Sequence, residues 1–87
     1  MIADVSVVIV NRFFFALRLL IQSKKIRGVK TFTERYGIDR RNFLYVEKNP
    51  SSHQFNVSWI FYLCRDYKVS CDWIILGKGE IISEVSD

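Results

Sequence analysis

TFTERYGIDRRNFLYVEK, residues 31–48, is the stretch on which the reading of this 87-residue chain turns. Phe32 and Tyr36 stand four apart, the spacing of neighbours on one helix face. Gly37 then interrupts the run, where a residue without a Cβ takes a left-handed backbone at least cost. Asp39 follows as a cap whose carboxylate can accept from the free N–H groups near Asn42. Phe43 and Val46 carry the apolar spacing into a second short helix. Two helices pinched by a glycine turn are therefore expected. The first covers residues 29–36, with Val29, Phe32 and Tyr36 on one face. The second runs from its Asp39 cap to a break at Asn49, Pro50, Ser51 and Ser52, because proline cannot continue a helix.

The same periodicity extends outward in both directions. Over residues 6–25 Val10, Phe13, Phe14, Leu17, Leu20 and Ile21 recur at helical spacing and predict a long first helix. The stretch before Asn11, VSVVIV, is mostly β-branched, so a strand competes there; helix is favoured because the residues from Phe13 onward continue one period. A fourth helix is expected over residues 57–67. A fifth starts at Ser70, with Asp72 near its positive end and Trp73, Ile74 and Leu76 as apolar contacts, and stops at Gly77 and Gly79. Residues 1–79 then form one domain, and residues 80–87, with Glu84 and Asp87, read as a loosely held acidic tail. Five helices with short connections predict a compact all-α fold.

Composition narrows the function. At 49% apolar residues the chain can build a core, but 87 residues allow only one. Eight of the thirteen basic residues fall within residues 24–48 against three acids, a net of +5, while the remainder of the chain nets −1. The excess positive charge thus coincides with the glycine-turn motif, as a polyanion-binding surface requires; basic residues decorating a solvated helix face are the plainer alternative. Cys64 and Cys71 are spaced by seven, which matches no zinc pattern, and the single histidine, His53, cannot complete a site. They read as small buried thiols of a cytosolic protein. No metal or cofactor is expected. His53 lacks a nearby nucleophile or carboxylate in sequence, so no enzyme activity is expected either. Asp4, Asn11, Arg12 and Arg18 interrupt the apolar N-terminal run, and no basic start precedes an apolar core. The expectation is a soluble, cytoplasmic protein.

Helical geometry sorts the second motif helix by face. Phe43 and Val46 share the side of Asp39, with Glu47 leaning the same way. Arg41, Leu44, Tyr45 and Lys48 point away from the core, and Arg40 sits on the flank. Arginine suits guanine, whose O6 and N7 acceptors match its fork, and an exposed Leu44 is either a harmless exception or a contact for a thymine methyl. Asn42 suits a phosphate or a cap better than a base edge.

Phe32, Thr33, Gly37, Ile38, Asp39, Phe43 and Val46 resemble the helix-turn-helix pattern of the lambda-repressor-like (Xre) family, whose repressors dock a recognition helix in the major groove. Glu47 matches a glutamate that the family keeps before its loop. VSCDWIILGKGE, residues 69–80, is similar to the family's closing helix and glycine turn. The two motifs span residues 29–80 and occur in the right order. The resemblance implies a five-helix lambda-repressor-like domain in which Arg40, Arg41 and Tyr45 read bases, and the helical projection sets Leu44 beside them as the candidate thymine-methyl contact. Lys30, Thr31, Asn42, Lys48 and Ser52 would hold phosphates. Thr33 departs from the usual alanine, and the connection through Lys24, Lys25, Ile26 and Arg27 looks longer by about a residue. The family often pairs its glutamate with an arginine of the first helix, a role open here to Arg18 or to none of its neighbours. As the chain ends at Asp87, no separate oligomerisation and self-cleavage domain is expected.

Apolar and aromatic groups encircle most of the fourth helix, with Trp59, Phe61 and Tyr62 on three different sides of Val57. Packing on the first helix explains part of this, and a homodimer contact is the stronger suggestion. The function expected from all this is a sequence-specific regulator of transcription bound to double-stranded DNA. The alternative is a protein-interaction module, such as an antitoxin-like adaptor, docking through Trp59, Phe61 and Tyr62.

Overall fold

The computed structural model describes residues 4–83. Five helices follow one another: α1 (Val5–Gln22), α2 (Val29–Arg35), α3 (Arg40–Lys48), α4 (Ser58–Tyr67) and α5 (Cys71–Leu76). Among the described residues the only extended pairing is a single antiparallel bridge, Val69 to Ile82. The molecule is all-α, as expected. The stretch VSVVIV is helical. Asp4 caps it by accepting from the Ser6 N–H at 2.9 Å, and Val10 joins the buried stripe of Phe13, Phe14 and Leu17. A shared apolar face thus overrides a local preference for strand. The helix ends at Gln22, short of the expected Lys25, because Ser23 caps it and Lys24 turns left-handed (φ 66°).

By length and composition alone α1 could cross a membrane. In this fold it is the central wall of the core, with six side chains from Val10 to Leu20 buried. The Phe13 ring sits amid those of Phe14, Phe32, Phe43 and Phe55, with centroids 5.0, 6.3, 6.0 and 5.4 Å away in edge-on geometry. Edge-on pairs set the positive rim of one ring against the negative face of the next. Trp59 belongs to this cluster. It is 5% exposed, with its ring 4.8 Å from Phe43 and 5.1 Å from Phe55. The expected display of Trp59 to a partner is therefore wrong.

The other two aromatics of α4 meet their own chain in part. Tyr62 stacks on Tyr36 at 4.2 Å, nearly parallel, and is half-buried. Phe61 remains 54% exposed, with the Arg65 guanidinium 4.8 Å over its ring. Most of the aromatic belt is thus consumed by α1, α3, Tyr36 at the end of α2 and the loop carrying Phe55.

Three further features tie the ends of the short helices. Thr33, buried where the family pattern has alanine, donates its hydroxyl to the Val29 and Lys30 carbonyls, both at 3.1 Å. The added hydroxyl therefore leaves no orphaned polar group. Gly77 ends α5 with a left-handed backbone (φ 72°), and the Arg12 guanidinium lies so close that a Cβ there would stand 2.6 Å from it. That guanidinium donates to the Ile74 and Ile75 carbonyls at 3.4 and 3.3 Å, serving α5 carbonyls that its short helix leaves free.

The segment after Gly79 departs from expectation. Ser70 N–H donates to the Ile81 carbonyl and Ser83 N–H to the Lys68 carbonyl, each at 2.7 Å, and Ile81 and Ile82 pack against the core. Residues 81–83 therefore belong to the domain instead of starting a loose tail. Glu84 and Asp87, on which the acidic reading rested, lie outside the described residues.

Candidate nucleic-acid interface

The site is α3, and its local sequence explains its direction. Asp39 takes an extended backbone and accepts from Arg41 N–H at 3.2 Å, one position earlier than expected but with the same capping effect. Asn49 closes the far end, its side chain donating to the Tyr45 carbonyl at 3.0 Å. Phe43 and Val46 are fully buried beneath α3, anchors of roughly 1.5–3 kcal/mol each. With that side committed to the core, the opposite side must face water.

It carries the expected groups. Arg40, Arg41 and Lys48 are exposed, and Tyr45 is 49% exposed. Arg40 and Arg41 border an open hollow with Asp39 and Leu44. Among the described residues no carboxylate lies within ion-pair distance of Arg40, Arg41 or Lys48. Leu44 and Asn42 are half-buried. Leu44 therefore presents only part of its side chain, less than the helical projection implied.

Two anchors hold the motif, one at each end. Arg18 of α1 grips Glu47 of α3 with both arms, Nε to Oε2 at 2.8 Å and Nη2 to Oε1 at 2.7 Å. This answers the open question of the arginine partner: it is Arg18. The hydrogen bond to Glu47 raises the already high Arg18 pKa, and it cancels the one carboxylate on α3 that would repel a polyanion. As Arg18 is half-exposed, the pair is worth about 1 kcal/mol despite its two-armed geometry.

At the other end Tyr36, just past α2, donates its hydroxyl in a short contact to the Asp66 carboxylate on α4. Asp66 also accepts from Arg65 at 2.8 and 2.9 Å and lies 4.0 Å from Arg35. The Arg65 and Tyr36 hydrogen bonds hold the Asp66 carboxyl well below the usual carboxylate range. Burial and the Asp66 contact push the Tyr36 phenol above its ordinary value. Tyr36 and Asp66 are thirty residues apart, and no local pattern announces such a pairing.

The residues expected at phosphates are divided. Lys30 and Thr31 are exposed on α2, Lys30 loosely paired with Glu34 at 3.9 Å. Lys48 is free on α3. Ser52 does not fit: its hydroxyl oxygen is buried and has no hydrogen-bond partner. The turn that follows α3, with Ser52 N–H donating to the Asn49 carbonyl at 2.9 Å, folds that side chain inward. Lys24, Lys25 and Arg27 border a hollow of their own with Ile21 and Ile26, separate from the one beside Arg40. Comparison of the chain with protein-family models, with curated proteins and with solved structures returned no match, so the meaning of this surface rests on its geometry and chemistry.

Proposed function

We propose that this chain is a helix-turn-helix domain of the lambda-repressor-like kind, a cytoplasmic regulator of transcription that binds double-stranded DNA with α3 in the major groove. One observation carries the reading. Arg40, Arg41 and Tyr45 stand in water on a nine-residue helix whose reverse side is locked into the core. Donors held rigidly at fixed spacing can discriminate base edges, whereas mobile ones only attract phosphates. Arg40 and Arg41 read bases, with Tyr45 and the open part of Leu44 beside them. Lys30, Thr31, Asn42 and Lys48 position the backbone.

The domain acts as a homodimer, so that two recognition helices meet successive major grooves about 34 Å apart. Exposed apolar side chains are available to a second copy on α1 and α5, where the Phe15 ring lies 5.9 Å from Trp73 and where Ile75 and Leu76 are exposed. On α4 only Phe61 remains. A Leu76→Asp chain should therefore self-associate more weakly in sedimentation than a Phe61→Asp chain; the reverse order would return the contact to α4.

The deciding experiment is selection of bound sites from random duplex DNA at near-physiological salt. A palindromic consensus is the expected result. Failure to enrich any sequence would remove the reading. It would favour instead a protein-interaction module, for which Phe61 under Arg65, beside half-buried Tyr62, is the supporting observation.

A further inference from the structure

Cys64 and Cys71 take no part in the interface described above, and neither is buried as the sequence suggested: Cys64 is half-buried and Cys71 exposed. Cys64 lies near the end of α4, and Cys71 opens α5. Between them Lys68 takes a left-handed backbone (φ 59°) that turns the chain. This joint is held firmly. Val69 is buried beneath it, and the backbone of Lys68 and Ser70 is hydrogen-bonded to Ser83 and Ile81 around the Val69–Ile82 bridge. Both cysteines open on one hollow at the joint, whose wall also carries Lys68 and Asp72. Burial pushes the Cys64 thiol up to about 12, with the neighbouring Cys71 thiol adding to the shift.

We propose that Cys64 and Cys71 are a redox-active thiol pair, which a small disulfide oxidant converts to a reversible intramolecular disulfide across the α4–α5 joint. Exposed Cys71 is the entry point. Its thiolate attacks one sulfur of the oxidant, and the other sulfur leaves with the bonding pair and is protonated to the first free thiol. Cys64 then gives its proton to solvent, and its sulfur attacks Cys71 Sγ in the mixed disulfide. The second thiol departs. Two protein thiols are oxidised to one disulfide, and one oxidant disulfide is reduced to two thiols.

The two sulfurs have complementary roles. An exposed thiol is accessible to the oxidant, while one kept protonated by burial resists outside attack and reacts when its neighbour has been activated. Lys68 in the hollow wall offsets negative charge on an attacking sulfur or on the carboxylates of a glutathione-like oxidant; Asp72 acts in the opposite sense. The closed ring holds residues 64–71, and it fastens the end of α4 to the start of α5. The pair is independent of DNA binding, so it stands or falls separately.

The test equilibrates the intact chain with mixtures of oxidised and reduced glutathione, folded and in denaturant. The folded chain should lose both titratable thiols and the mass of two hydrogens, and peptide mapping should find Cys64 joined to Cys71. Its exchange constant should exceed that of the denatured chain by about tenfold or more, since only the fold holds the thiols together. Cys64→Ser should stop at a glutathione adduct on Cys71, and Cys71→Ser should stay unmodified while the wild type reacts. A stable glutathione adduct on the wild type, a covalent dimer, no reaction, or equal constants with and without denaturant would each overturn the proposal.

Discussion

The outer face of α3 and the aromatic belt of α4 look alike on a helical projection, since each sets large side chains where a single core would not reach. The folded molecule treats them oppositely. Arg40, Arg41 and Lys48 stay in water, whereas Trp59 is drawn into the centre and Tyr62 is half-covered by Tyr36. An unpaired guanidinium or ammonium cannot leave water without several kcal/mol of desolvation, so its outward direction is nearly guaranteed. An aromatic ring gains from every neighbour it meets. Its direction depends on how many elements arrive, and α4 receives rings from α1, α2, α3 and the Phe55 loop.

The contrast can be broken most forcefully at Trp59. Trp59→Ala should cost about 3–5 kcal/mol in urea unfolding, while Tyr45→Ala should change stability by no more than about 0.5 kcal/mol. Similar losses at the two positions would mean that α3 is packed where it is seen exposed. Next in size is Arg41→Ala, expected to weaken binding to a selected DNA site by about 1–3 kcal/mol and to spare random sequence. Equal losses on both DNAs, measured by fluorescence anisotropy, would reduce Arg41 to a phosphate contact.

The anchors give smaller effects. Arg18→Ala should lower stability by about 1 kcal/mol and weaken DNA binding beyond that of a distant surface arginine substitution, because Glu47 is then left uncompensated on α3. No difference in binding would show that the Glu47 charge does not act on the DNA. The smallest effect is expected in acid. The Asp66 carboxyl is held below its unfolded value of about 3.8, so its contribution is complete above that pH. That contribution fades as the pH falls from there toward the folded value. Asp66→Asn should flatten this acid limb of the stability curve; an unchanged limb would assign it to other carboxylates.

Much of this was legible in the chain. All five helices begin and end within a few residues of where spacing, caps and glycines put them, and Arg40, Arg41, Tyr45 and Lys48 are exposed as expected. These features are local: a cap acts within its own helical turn, and a charge seeks water whatever else surrounds it. Trp59 departs from expectation because its surroundings, the rings of Phe13 and Phe43, come from distant segments, and the partial burial of Leu44 and Ser52 is a packing outcome that spacing does not encode. The Arg18 partner of Glu47 and the Tyr36–Asp66 contact join residues about thirty positions apart, for which one sequence holds no periodicity.

The amino-acid order alone determined an all-helical chain with a glycine-pinched pair of helices and its positive charge gathered there. Hydrogen bonding within a turn, side-chain spacing and the cost of burying ions act over a few residues, so they can be read directly. Only the tertiary structure decided which aromatics vanish into the core, which arginine clamps α3, that residues 81–83 join the domain, and that two cysteines share one hollow. Those outcomes depend on which surfaces meet, and burial is a property of the whole packed assembly instead of any segment within it.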